Sequence, residues 1–295
     1  MKILLTGATG FVGSRLKPTL ESAGHVVRVV SRRAGADFDW SDASLARGVR
    51  ETDAIVHLAG ENVFDKRWTP ARKELLRSSR IDTTKKLAAL AAARKPACFV
   101  CASAIGWYGT SETKVFDESS PRGSDFLADL CGDWEDATEA ASEAGVRTCR
   151  VRVGVVLDPA GGALAKMLPI FRIGLGGPLA SGRQWVSWVH LDDLCRLFQF
   201  LVENDRARGV FDGTAPNPVT MNELARTLGR VLHRPSLLPV PEFMLRLTVG
   251  EVAGVLATGQ RVLPRRAQEA GFRFEHPELE GALRALLVHR EGSPS

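Results

Sequence analysis

The segment that decides the fold is TGATGFVG, Thr6 to Gly13, which follows the apolar run KILLT without a break. A strand that ends in glycines and opens at once into a helix is a phosphate-binding turn. Gly7 permits the tight turn, Gly10 lets the backbone approach a pyrophosphate, and Gly13 allows helix and strand to pack closely. The helix N-terminus then offers free N–H groups to the anion. A bare glycine pattern could be purely structural; the strand before it and the helix after it argue for a dinucleotide site.

Outward from that loop, the second apolar run, VVRVVS, ends in Ser31, Arg32 and Arg33. Sites that take NAD place a carboxylate here, on the ribose hydroxyls. This chain has two guanidiniums instead, which suit a 2′-phosphate, so the expected cofactor is NADP(H). A solvated basic loop is the other reading of the pair. The third run, DAIVHLA, ends in His57, Leu58, Ala59 and Gly60. Ligands of open α/β sheets lie at that carboxyl edge, so a cofactor ribose is expected there, while His57 itself reads as a packed strand residue.

Apolar runs alternate with helical stretches over most of the chain. Strands read as KILLT, VVRVVS, DAIVHLA, ACFVCAS and CRVRVGVVL, with a short extra strand at 36–40. Helices read at 11–23, bent by Pro18, and at 70–94 and 124–144. This order predicts an α/β fold: a doubly wound, mostly parallel Rossmann sheet with a smaller, mainly helical C-terminal substrate lobe. Residues 1–215 form the dinucleotide-binding domain, with 158–190, rich in Gly and Pro, contributing to the substrate lobe. Residues 220–290 form the small C-terminal helical domain, and the tail 291–295 reads as disordered.

Composition excludes several classes. Apolar residues make up 44%, enough for a sizeable core, and the net charge of +5 is spread among 34 acids, which argues against a nucleic-acid reader. No segment approaches membrane-spanning length, and no signal peptide precedes the first strand. Five cysteines without paired spacing argue for a reducing, cytoplasmic setting; Cys98 and Cys101 point to opposite faces of a strand, so no metal site is expected. Whether the chain is a monomer or a homodimer stays open.

Together, TGATGFVG, the HLAG strand end and SAIGWYG from Ser103 resemble the extended short-chain dehydrogenase/reductases, which include the nucleotide-sugar epimerases and dehydratases. GENVFDKRW from Gly60, RVGVVLDPAGGAL from Arg152, GLGGPLASGRQWVSWVHLDDL from Gly174 and RVLPRRAQEAGFRF from Arg261 resemble one atypical branch, the epimerase-like oxidoreductase family with its own short C-terminal domain. The resemblance implies a seven-stranded Rossmann domain and NADP(H). It places the cofactor on Gly7, Thr9, Gly10, Phe11, Val12, Ser31, Arg32, Leu58, Ala59 and Gly60, with Gly13 closing the loop and Val156 adding a nicotinamide contact. It aligns Arg80 with an asparagine of its relatives, where a guanidinium could reach the cofactor phosphates or be a solvated helix residue.

Members of this superfamily use a tyrosine to move a proton, with a lysine four residues on to lower its pKa. Aligning DFLADLCGDWE puts Leu127 and Cys131 at those positions, and neither does that work. Tyr108, the single tyrosine, is then the candidate phenol, against a packing or substrate-contact role. Ser103 is the candidate serine, one residue out of the usual register. Glu61 and Asn62, past the HLAG end, and His190 with Asp193 are further candidates, as is Trp185 for the substrate wall. The ordinary readings are an ion pair of Glu61 with Lys66 or Arg67, a helix cap for Asp192 or Asp193, and opposite faces for Trp185 and Trp188. The function expected is an NADP(H)-dependent oxidoreductase or epimerase-like protein acting on a small carbonyl or nucleotide-linked substrate. The alternative is a catalytically silent NADPH-binding sensor or regulator.

Overall fold

The computed structural model describes residues 1–288; the tail 291–295 and the end of the 220–290 segment lie outside the described residues. Six strands, β1 (Lys2–Thr6), β2 (Val26–Val30), β3 (Ala54–His57), β4 (Cys98–Ala104), β5 (Thr148–Val153) and β6 (Gly209–Gly213), form one all-parallel sheet in the order β6-β5-β4-β3-β1-β2. Their middles are sealed on both faces: Ile3, Leu4, Leu5, Ile55, Val56, Phe99 and Val100 have no exposure. That is why these runs read as continuous apolar segments and not as alternating ones. Helices α1 (Gly13–Ser22), α2 (Asp42–Arg50), α3 (Pro70–Arg94), α4 (Phe126–Asp136), α5 (Glu139–Glu143), α6 (Gly162–Arg172) and α7 (Leu191–Glu203) follow in chain order. Helices α1 and α7 pack side by side, and α2, α4 and α5 pack on α3. The chain order reverses between β1 and β3, so the crevice of this fold opens above the ends of those two strands.

Four expectations need correction. The run CRVRVGVVL is two strands: β5 stays in the main sheet, while Val155–Asp158 pairs with Trp188–His190 in a separate two-stranded sheet. The chain changes sheets at Gly154, where a Cβ would stand 2.5 Å from the Ser187 carbonyl oxygen. The short extra strand expected at 36–40 is reduced to a single parallel bridge, Val30 to Phe38, on the β2 edge, and the main sheet has six strands where the resemblance implied seven. The helix expected over 124–144 breaks after Asp136, where Thr138 turns its hydroxyl back onto the Glu135 carbonyl and accepts from Arg150 Nε at 2.6 Å. Helix α2 was not foreseen: it is short, its first residue has no side-chain cap, and Gly48 interrupts it. That glycine is required because Phe38 and Leu4 side chains would lie 3.0 and 3.1 Å from any Cβ there.

A second core gathers Leu164, Leu168 and Phe171 of α6 with Trp188, with Leu224 and Leu228 of the helix Met221–Val231 and with Leu283 and Leu286 of the helix Leu279–Leu287. This mainly helical lobe is tied back to the sheet domain twice. Arg261–Val262 pairs in parallel with Val115–Phe116. The carboxylate of Asp193, fully buried, accepts from the amides of Glu275 and His276 at 2.9 and 2.8 Å. Asp193 is therefore a clamp between lobes and not a helix cap; the cap of α7 is His190, whose Nδ1 accepts from the Asp192 amide at 3.0 Å.

Candidate functional site

At the end of β1 the backbone takes φ +73° at Gly7, and a Cβ there would meet the backbone of Leu58 and Ala59 at 2.8 to 2.9 Å. A Cβ on Gly13 would overlap the Gly7 carbonyl oxygen, whereas Gly10 meets only that oxygen, at 3.2 Å. Gly7 and Gly13 thus let the turn close, and Gly10 leaves its outer side bare. No side chain caps α1 and no acid stands in its first turn; among the described residues nothing accepts from the amides of Phe11 and Val12. The positive end of the helix dipole is left for an anion, so these residues fit a dinucleotide pyrophosphate. Two side chains hold the cradle in shape. The Phe11 ring lies against Gly161 and Gly162, in the loop after Val155–Asp158, and the Thr6 hydroxyl bridges His57 Nδ1 at 2.6 Å and the amides of Leu58 and Ala59 at 3.2 and 3.3 Å. Burial, with Arg80 nearby, lowers the His57 pKa to about 3, so it stays neutral as a strut.

At the end of β2, Ser31 Oγ accepts from the Arg33 amide and the Arg32 side chain is 85% exposed. Its partner is Glu61, 3.7 Å away across the crevice. Glu61 pairs on its other side with the buried Arg72 at 3.2 Å, so its carboxylate is held between two guanidiniums and not by Lys66 or Arg67. Asn62 is accounted for locally: its Oδ1 accepts from the Phe64 amide and its carbonyl from Arg72. Arg80 is neither solvated nor extended towards the glycine loop. It is buried beneath Gly60, donates to the carbonyls of Leu76 and Glu61 at 3.2 and 2.7 Å, and stacks over Trp134. Burial lowers its pKa to about 10, which leaves it charged at neutral pH, with Cys131 among the groups that feel it.

Leu127 and Cys131 of α4 face the short helical turn Ile105–Tyr108 across Gly106, whose absent Cβ would lie 3.0 and 3.5 Å from them. Of the positions aligned with a tyrosine and a lysine, Leu127 is half-buried and Cys131 buried, and burial raises the Cys131 thiol to about 12. Behind that turn lies a buried polar chain. Ser103 Oγ donates to Glu135 at 2.7 Å, Glu135 takes two bonds from Arg152 at 2.8 and 2.9 Å, and Arg152 donates to the Tyr108 hydroxyl at 3.0 Å. The Tyr108 hydroxyl donates to Asp212, with both oxygens at 2.9 Å, and its ring stacks on Phe116. Desolvation, with Asp212 beside it, pushes the Tyr108 pKa well up; desolvation, with Glu118 beside it, does the same to Asp212. Tyr108 is thus placed as a packed core residue and Ser103 as a ligand of Glu135. Arg152, Glu135 and Asp212 were missed because their partners are 17 to 104 residues away in sequence.

On the lobe side, Trp188 is fully buried and Trp185 half-buried, on two separate strands, Trp185–Val186 paired with Val219–Thr220 and Trp188–His190 with Val155–Asp158. His190 is buried and stacked on His276 with centroids 3.9 Å apart; desolvation, then His276, lowers its pKa to about 4. Val156 packs against the main core and pairs with Val189. Among the described residues, four buried side-chain nitrogens have no partner: Arg72 Nε, Trp107 Nε1, His190 Nε2 and Arg261 Nε. Buried donors are nearly always paired. Trp107 lies in the turn just past the carboxyl end of β4 and Arg72 in the first turn of α3; His190 and Arg261 stand on short strands outside the main sheet, paired with Leu157 and Val115. No group of three or more metal-ligating side chains occurs among the described residues, and none of their helices is long and apolar enough to cross a membrane.

Comparison with known proteins bears on this geometry. The model of the NAD dependent epimerase/dehydratase family matches residues 3–212, and a domain of unknown function, DUF1731, matches residues 240–286. The chain is 44% identical to the chloroplastic epimerase family protein SDR39U1 homolog of Arabidopsis thaliana, over 97% of this chain and 87% of that protein. It is 38% identical to the epimerase family protein YfhF of Bacillus subtilis, over 99% of both. The crystal structure of human epimerase family protein SDR39U1 (isoform 2) with NADPH superposes with a TM-score of 0.93 at 36% identity, covering 98% of this chain and 99% of that one. With a glycine-lined seat at the end of β1 and relatives alike along their whole length, this chain belongs to the NAD dependent epimerase/dehydratase family.

Proposed function

We propose that the chain binds NADP(H) and acts as an oxidoreductase on a small carbonyl or nucleotide-linked substrate, in the cytoplasm, without the usual tyrosine and lysine. The observation that carries the cofactor assignment is the pairing of a bare glycine loop with the exposed Arg32 at the end of β2, a strand that ends in no carboxylate of its own and beside which Glu61 is taken up by Arg32 and Arg72. The human relative's NADPH supports it. The amides from Gly7 to Gly13, with Thr9, would hold the pyrophosphate, Ser31 and Arg32 the adenosine phosphate, and Leu58, Ala59, Gly60 and Val156 the ribose and nicotinamide. The bound cofactor supplies or accepts hydride at its nicotinamide ring. The chain's own contribution is orientation, and the unpartnered donors of Arg72, Trp107, His190 and Arg261 suit a substrate rich in acceptor atoms.

The test is a titration with NADPH and NADH followed by tryptophan emission, then NADPH oxidation across carbonyl compounds and nucleotide sugars. Tighter NADPH binding together with turnover of any member supports the proposal; equal affinities remove the cofactor half. The packed Leu127 and Cys131 favour a second reading, a cofactor-binding protein without turnover. Tight NADPH binding with no oxidation across the whole panel selects it.

A further inference from the structure

At the junction of the lobe with the segment that follows β4, we infer that Arg261, stacked on Trp185, is the anion-recognition residue of the substrate site, so that the substrate carries a carboxylate or a phosphate. This rests on the substrate-binding reading above and narrows it. The Arg261 guanidinium lies 4.5 Å over the Trp185 ring, half-buried, and among the described residues no carboxylate pairs with it. Its Nε is buried without an acceptor. Most arginines of comparable burial here have an acid or carbonyls: Arg72 has Glu61, Arg196 has Asp193, and Arg266 has the carbonyls of Val210 and Arg208. A guanidinium withdrawn from water without a counter-charge is unfavourable unless a ligand brings one.

The platform is rigid. Gln260 Nε2 donates to the Ile105 carbonyl at 3.0 Å, and Ser187 Oγ links the Gln260 carbonyl to the Val262 amide, both at 2.8 Å. The backbone on either side of Arg261 is therefore pinned to the sheet domain. The indole is pinned as well: Trp185 Nε1 donates to the Glu112 carbonyl at 3.0 Å, and its backbone bridges Gly259. A flat guanidinium laid on a fixed ring, with no protein acceptor among the described residues on any of its nitrogens, has N–H groups to offer to an outside acceptor, and its fork matches carboxylate and phosphate. The second unpartnered donor of this junction, Trp107 Nε1, belongs to a side chain packed on the cluster of Ile105, Tyr108, Phe116 and Val262, next to Arg261 in the chain.

The experiment uses the full chain saturated with NADPH, so that the cofactor's own phosphate seats are filled. It is titrated calorimetrically with uridine diphosphate as the phosphate arm, malonate as the carboxylate arm and uridine as the neutral control. The expected result is saturable binding of one anion at least tenfold tighter than uridine, a loss of tenfold or more in Arg261→Gln, and a smaller loss in Arg261→Lys, which keeps the charge without the fork. NADPH affinity and Tm stay at wild-type values in both variants. The anion that binds names the substrate's group. Absence of saturable binding of either anion by the wild-type protein, or undiminished binding by Arg261→Gln, overturns the inference; should Arg261→Gln not fold, the wild-type comparison with uridine and the lysine variant decide. Failure of NADPH turnover alone would count against the oxidoreductase reading and leave this result standing.

Discussion

Two strand ends on the carboxyl edge of the main sheet, separated by β3, are finished by opposite means. At the end of β1 the chain turns through glycines and leaves amides unclaimed; at the end of β4 it enters the turn Ile105–Tyr108 and buries its serine, its phenol and the facing Arg152 in one network. The first region is open because side chains are missing from it. The second is where proton transfer is expected in this fold, and here side chains fill it. The two strand ends are therefore built from different materials: backbone geometry in one case, side-chain chemistry in the other.

That contrast can be broken most sharply at Gly13. Gly13→Ala forces a Cβ into the Gly7 carbonyl, so NADPH binding should be lost and stability should fall by about 3 kcal/mol, measured by urea unfolding. A variant that still binds NADPH would show that the turn is not the seat. Tyr108→Phe tests the other side. It should cost about 2 kcal/mol, because Asp212 loses its hydroxyl donor, and leave any NADPH oxidation rate unaltered. A collapsed rate with unchanged stability would return proton transfer to Tyr108.

The pH dependence compares a histidine from each side. His57 and His190 are held neutral by burial, with pKa values lowered from 6.5 to about 3 and about 4. The unfolded chain binds the proton first, so their stabilising contribution is complete above pH 6.5 and falls as pH drops towards those values. Each should add a slope of about 1 kcal/mol per pH unit, and His190→Gln should remove one such share. Denaturation midpoints that do not move between pH 7 and pH 5 would contradict this. Arg32→Ala should lower the preference for NADPH over NADH about tenfold, read from the two dissociation constants. The smallest effect belongs to Glu61→Gln: the 3.7 Å pair with the exposed Arg32 is worth less than about 1 kcal/mol, so NADPH affinity should rise by a few-fold at most.

Legibility followed the same division. Gly7, Gly10 and Gly13 could be read because each answers a local demand on φ or on contact between adjacent elements, and Ser31–Arg33 because the end of β2 lies a fixed distance along the chain. The break at Gly154 could not be read, since it depends on the Ser187 carbonyl crossing from another sheet. The reduction of the extra strand at 36–40 to one bridge was equally hidden, because the alternating ADFDW reads as a short strand and nothing in it shows how far it pairs with β2. Arg261 sat inside a motif that was quoted for its likeness to relatives, yet its lack of a counter-ion is a fact about space.

Residue order alone settled the parallel sheet and the glycine turn that ends β1, because these depend on backbone freedom and residue type within one or two elements. Folding decided which polar groups are left over. Tyr108 became a core residue only when Asp212, 104 positions on, met its hydroxyl. Arg261 became a candidate anion receptor only when Trp185 came beneath it with no acid beside it. Hydrogen bonds and charges are satisfied by whatever arrives in three dimensions, and which ones remain unsatisfied is a property of the assembled chain.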